Sequence, residues 1–114
     1  MIVWANMKVD VEAMRGAAGE ASQLLKALAN PDRLLLLCQM TEGEFCVGDL
    51  ERMTGIRQPT LSQQLTVLRD LSLVSTRREG KLIYYSITSR QAMAVMQVLY
   101  QQFCQTKAAE GAKK

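Results

Sequence analysis

The chain has 114 residues, 48% of them apolar and 22% charged, with a formal net charge of +3, enough for one modest core and not for two. No apolar run reaches bilayer-spanning length. The apolar start Met1-Ile2-Val3-Trp4 lacks the basic flank and cleavage site of a secretory signal, and three cysteines, an odd number, do not make a secreted disulfide framework, so a cytoplasmic protein is expected.

Residues 1–9 read as an N-terminal extension, 10–105 as a single domain, and the polar, Ala-, Gly- and Lys-containing residues 106–114 as a disordered tail. From Asp10 to Ala29, apolar Val11, Met14, Ala18, Ala21, Leu25 and Leu28 recur at helical spacing, although Gly16 and Gly19 predict a break or frayed start. Asn30-Pro31 caps and opens a second helix to Thr41, apolar almost all round and therefore expected to be central and buried. Glu42-Gly43-Glu44 ends it. Two short amphipathic segments follow, Val47 to Thr54 and Pro59 to Leu71, separated by Gly55-Ile56-Arg57-Gln58, which is a helix-turn-helix pattern. Val74 to Arg78 and Leu82 to Ile87 form a hairpin turning at Gly80. Ser89 caps a last helix running to about Cys104, with Ala92, Val95, Met96, Leu99 and Phe103 on one stripe. The order (α-α-α-α-β-β-α) defines a mainly α fold with a β-hairpin wing, a winged helix-turn-helix.

Charge and face composition point to DNA. Between Arg57 and Lys81 lie five basic and two acidic residues, while the rest of the chain carries nine of each, so the whole positive excess sits in one stretch. On a helical wheel Leu61, Leu65 and Leu68 share an anchoring face and Ser62, Gln63, Thr66 and Asp70 point the other way. Gln58 and Thr60 stand at the helix start, where free N–H groups and the dipole favour a phosphate. A recognition helix presents its N-terminal residues to base edges; Gln pairs bidentately with adenine, and Ser or Thr bonds bases or phosphate. Arg77, Arg78 and Lys81 on the hairpin suit phosphates or the minor groove, and Arg69 suits the backbone. An ordinary amphipathic surface helix also has a polar outer face; the basic hairpin beside it tips the reading toward double-stranded DNA.

From Leu24 to Cys104 the chain resembles the ArsR/SmtB family of bacterial winged-helix repressors. The segments that carry the resemblance are Leu25 to Leu34, Cys46-Val47-Gly48-Asp49-Leu50, Gln58 to Arg69 and Leu73-Val74. The resemblance implies DNA contacts from Gln58, Ser62 and Gln63, and a homodimer through the first and last helices on a palindromic operator. The family's metal sites fit poorly: the sequence has no histidine, and Gly48 replaces the second cysteine of the Cys-x-Cys soft-metal pair that Cys46 would begin.

Within the family, the BigR-like persulfide sensors are the most similar branch, through Leu34 to Cys38, Glu42 to Phe45, Gln58 to Leu65 and Tyr100 to Cys104. That resemblance implies that reactive sulfur species link Cys38 to Cys104 through a disulfide or polysulfide, weaken operator binding and release sulfide-detoxification genes. The residues alone leave alternatives open. Free cysteines are often small buried hydrophobes, Cys38 in an apolar helix is expected to have a raised pKa, and Cys46 is either inert or an accessory thiol. An arsenite or soft-metal repressor using all three thiolates is a second reading, and a constitutive DNA binder with inert cysteines a third. A sulfur-handling cysteine enzyme is disfavoured, because no base neighbours a cysteine in sequence and no phosphate loop or cofactor motif is present. Neither a cofactor nor a membrane partner is expected.

Overall fold

The structure, a computed structural model, describes residues 8–105; the expectations for the first seven residues and for the tail 106–114 lie outside the described residues. Helix α1 spans Val11–Leu28, capped by the Asp10 carboxylate, which accepts from the N–H groups of Glu12 and Ala13. Its glycines neither break nor fray it: the helix runs without interruption through Gly16 and Gly19, the cost of about 1 kcal/mol per glycine being tolerated where good helix formers surround them. Helix α2, Pro31–Met40, starts on Asn30, whose side chain accepts from the Arg33 N–H, with Pro31 in the first turn.

After α2 the chain makes a two-residue strand, β1 (Phe45–Cys46), which enters helix α3 (Val47–Thr54) directly. Gly55, at φ 74°, ends α3 in the left-handed region with its N–H on the Glu51 carbonyl. Helix α4 spans Thr60–Asp70. Its end is a Schellman motif, in which Leu73 N–H reaches Leu68 O and Ser72 N–H reaches Arg69 O. Ser72 holds φ 60° there, the position usually given to glycine.

The wing is β2 (Val74–Glu79) and β3 (Leu82–Ile87), antiparallel from Val74↔Ile87 to Glu79↔Leu82. Its two-residue loop opens on Gly80 at φ 64°. β1 adds to the other edge of β3 (Phe45↔Tyr85, Cys46↔Tyr84), making a three-stranded sheet of order β1-β3-β2. The sequence reading had only the hairpin, because two residues are too short to show a strand period. Helix α5, Arg90–Tyr100, is capped by Ser89 Oγ on Ala92 N–H and continues as a π-helical turn over Gln101–Gln105.

One core joins these elements. Leu36, Leu37 and Met40 of α2 meet Leu50 of α3, Leu61, Leu65 and Leu68 of α4, Val74 of β2, and Ala92 and Met96 of α5. Two expected core faces are open. Only Ala27 and Leu28 of α1 are buried, leaving Val11, Met14 and Leu25 in solvent. Helix α2, expected to be covered all round, leaves Leu35 half exposed. Among the described residues no helix is long and apolar enough to cross a membrane.

Candidate nucleic-acid interface and thiol groove

Helix α4 is held by its leucines and presents the rest. Leu61, Leu65 and Leu68 are buried, whereas Gln58, Ser62, Gln63, Thr66, Arg69 and Asp70 are exposed and Thr60 is half-buried. This is the division that the wheel predicts. The start of α4 differs in detail. The residue in the cap position, Pro59, has no acceptor side chain, and Gln58 Oε1 serves instead, accepting from the Ser62 N–H at 3.0 Å. With its oxygen engaged, Gln58 retains its amide N–H groups as donors. Gln63 makes no side-chain hydrogen bond among the described residues, so both halves of its amide are available. Thr66 Oγ1 donates back to the Ser62 carbonyl at 2.8 Å.

The three wing cations are not equivalent. Arg77 forks onto Glu44, with Nε at 3.2 Å from Oε2 and Nη2 at 3.1 Å from Oε1, while Nη1 lies 2.6 Å from Glu79. Its guanidinium also lies 4.9 Å from the centre of the Tyr84 ring. The Glu44 hydrogen bonds first, then Glu79, push its pKa further up, so it is charged at any pH the fold experiences. Arg78 and Lys81 have no carboxylate partner among the described residues. The sequence placed all three together as phosphate contacts; the pairing of Arg77 with Glu44, which precedes it by 33 residues, exists only in the tertiary fold.

Arg33 had no role in the sequence reading. It lies in the first turn of α2, where the helix dipole disfavours a cation. Its side chain reaches elsewhere: Nε donates to Ala27 O at 2.6 Å and Nη2 to Lys26 O at 3.4 Å, both carbonyls in the last turn of α1. Nη1 donates to Gln64 Oε1 of α4 at 2.9 Å. A misplaced cation at a helix start was the one signal in the sequence for such a partner.

The thiols fall into two places. Cys38 and Cys104 line one groove of about 410 Å³ between α2 and the end of α5, with Leu34, Leu35, Met96, Leu99, Tyr100 and Phe103 as its apolar walls. Burial pushes the Cys38 thiol pKa up, and neighbouring Cys104 and Glu42 push it further. Cys104 lies in the π-helical turn and is exposed. Cys46 is at the start of α3. There Asp49 is held below the usual carboxylate range by its ion pair with Arg52 first, with a smaller contribution from the neighbouring Cys46. Cys46 is not among the groove's walls, and no group of three or more His, Cys, Asp or Glu among the described residues is placed to hold a metal ion.

A helix-turn-helix with an exposed polar reading face and a cation-bearing hairpin define a winged-helix DNA-binding transcription regulator. Residues 30–76 match the family described as "Bacterial regulatory protein, arsR family". The chain is 48% identical over 97 residues to the biofilm growth-associated repressor of Agrobacterium fabrum, covering 85% of this chain and 83% of that one. It is 50% identical over 93 residues to the repressor of the same name from Xylella fastidiosa, covering 82% of each. Among solved structures, the transcriptional repressor BigR from Xylella fastidiosa superposes with a TM-score of 0.81 at 49% identity, over 84% of this chain and 98% of that one. Reduced HlyU from Vibrio cholerae gives 0.76 at 35% identity, over 82% and 98%. The chain belongs to the arsR family of bacterial regulatory proteins, as a DNA-binding transcriptional repressor similar to BigR.

Proposed function

We propose that the chain acts as a homodimer on a palindromic double-stranded operator, and that reactive sulfur species release it through Cys38 and Cys104, derepressing sulfide-detoxification genes. The observation that carries the thiol part is the shared groove: residues from α2 and from the end of α5 bring two thiols into one apolar pocket. Similarity to BigR over most of the chain supports the repressor part. The dimer face is argued from the unpartnered apolar residues Val11, Met14 and Leu25 of α1 and Val98, Tyr100 and Phe103 at the end of the chain's last helix. On DNA, Gln63 reads bases bidentately, Gln58, Thr60, Ser62 and Thr66 bond bases or phosphates, and Arg69, Arg78 and Lys81 contact the backbone. Arg77 is a weaker candidate because two carboxylates already hold it.

The chemistry balances without an added oxidant. A low-molecular-weight persulfide RSSH transfers its outer sulfur to one thiol, giving a cysteine persulfide and RSH. The second thiolate attacks the protein-bound sulfur of that persulfide, forming the disulfide and releasing H₂S. If both cysteines are first persulfidated, their condensation gives a trisulfide and H₂S. Either bridge fixes the end of α5 to α2 and alters the packing beneath α4. A soft-metal repressor using three thiolates has less support, since Cys46 lies outside the groove that Cys38 and Cys104 share.

The test is operator affinity before and after persulfide, peroxide or arsenite, with mass spectrometry of the products. Loss of affinity with a Cys38–Cys104 link, absent in Cys38→Ser and Cys104→Ser and retained in Cys46→Ser, supports the proposal. Release by arsenite alone moves the assignment to metalloid sensing. Unchanged affinity under all three treatments leaves a constitutive binder.

A further inference from the structure

Cations in the first turn of a helix are electrostatically out of place, and Arg33 is one. Its guanidinium compensates by donating to three acceptors on two other helices. Ala27 O and Lys26 O are carbonyls of the last turn of α1, at the negative end of its dipole, and Lys26 O also accepts from the Ala29 N–H at 3.3 Å. The third acceptor, Gln64 Oε1, belongs to α4, between Gln63 on the exposed face and Leu65 in the core. The planar fork fixes direction as well as distance, which a lysine ammonium cannot do. We propose that Arg33 is a positioning residue that sets the rotation of the DNA-reading helix about its own axis, and so the presentation of Gln63 to the bases.

The leucine anchors alone do not fix that rotation closely. Leu61, Leu65 and Leu68 hold one face of α4 by apolar contact, which is non-directional. Gln64 lies at the margin of that face, half-buried, and its bond to Arg33 supplies the directional restraint. Displacement of the reading amide by about 1 Å takes a hydrogen bond beyond its range and spoils a bidentate contact. The same residue provides a route for control, an extension that rests on the thiol reading above. Arg33 and Cys38 share α2, five residues apart, or about 7.5 Å along the helix axis. A bridge from Cys38 to Cys104 that tilts or turns α2 therefore moves the base of the Arg33 fork, and Gln64 with it.

The experiment compares Gln64→Leu, Gln64→Glu and wild type, because Gln64→Leu cuts only the α4 arm and leaves the α1 carbonyls bonded. The readout is the ratio of operator to random-DNA affinity at fixed salt, with Tm measured beside it. Gln64→Leu is expected to lower that ratio on the order of tenfold, with random-DNA affinity unchanged. Gln64→Glu, which keeps an acceptor for Arg33, is expected to restore it. An unchanged ratio overturns the proposal, as does an equal loss of both affinities, which would mark a purely structural contact. For the route of control, each variant is bridged with an alkyl persulfide and the bridge confirmed by mass. The loss of operator affinity on bridging is expected to shrink in Gln64→Leu. Equal release in Gln64→Leu and wild type overturns the route while leaving the thiol reading intact, and no bridge in the wild type overturns both.

Discussion

Replacing Glu44 by Gln tests whether the wing holds a cation in reserve. In the free protein, Glu44 engages Arg77 through Nε and Nη2, and Glu79 engages it through Nη1. The Arg77–Glu44 pair is open to water, with side-chain exposures of 49% and 41%, so solvent screening leaves it little weight in stability. Its loss is therefore expected to leave Tm nearly unchanged. The effect on DNA binding is expected to be larger in kind. With one carboxylate gone, Arg77 is freed to bond a phosphate, and each phosphate neutralised steepens the log–log salt dependence by about 0.9. Between about 50 and 200 mM salt, that added slope multiplies the loss of affinity by about 3.5. The assay is a fluorescence-anisotropy titration of operator DNA over a salt series, for wild type, Glu44→Gln, Arg77→Gln and the double variant. Removing any negative charge near DNA raises affinity somewhat, and the double variant isolates the part that passes through Arg77. A slope unchanged in Glu44→Gln, or changed equally in the Arg77→Gln background, refutes the idea that Glu44 withholds Arg77 from DNA.

Further outcomes follow from other residues. Arg78→Ala is expected to lower operator and random-DNA affinity together and to flatten the salt slope by about 0.9 in the same titration. Gln63→Ala is expected to lose about 1–3 kcal/mol of discrimination at one base pair with little change in salt slope, and an unchanged operator-to-random ratio would remove Gln63 from the reading face. Because burial, Cys104 and Glu42 all raise the Cys38 pKa, its reactive thiolate is scarce at neutral pH and keeps increasing above the ordinary thiol range. Its iodoacetamide rate, followed by peptide mass, should still be climbing at that point, and Glu42→Gln should shift the profile to lower pH. Ser72→Gly removes the left-handed strain of about 1–2 kcal/mol at an added chain-entropy cost of about 0.5–1. The net gain, between about 0 and 1.5 kcal/mol, is expected to raise Tm by a few degrees in thermal unfolding.

The order of elements was legible in the sequence because each has a local cause. Asn30-Pro31, Gly55, Gly80 and Ser89 act through the backbone of their immediate neighbours, and the Leu61, Leu65 and Leu68 spacing is a property of one helix. The polar face of α4 was legible for the same reason. Strand β1 was not, since its two residues are extended only because β3 lies beside them. The uninterrupted α1 shows a weak local propensity overruled by the rest of the helix. What tertiary structure decided are contacts between residues distant in the chain. Arg77 lies on Glu44, Arg33 joins α1 to Gln64, and Cys38 and Cys104 share a groove. By itself the sequence determined a winged helix and the exposed polar face of α4, because periodicity and capping are written residue by residue. The pairing of charges and thiols depends on how the helices cross, and side chains facing one another across a fold leave no period in the chain.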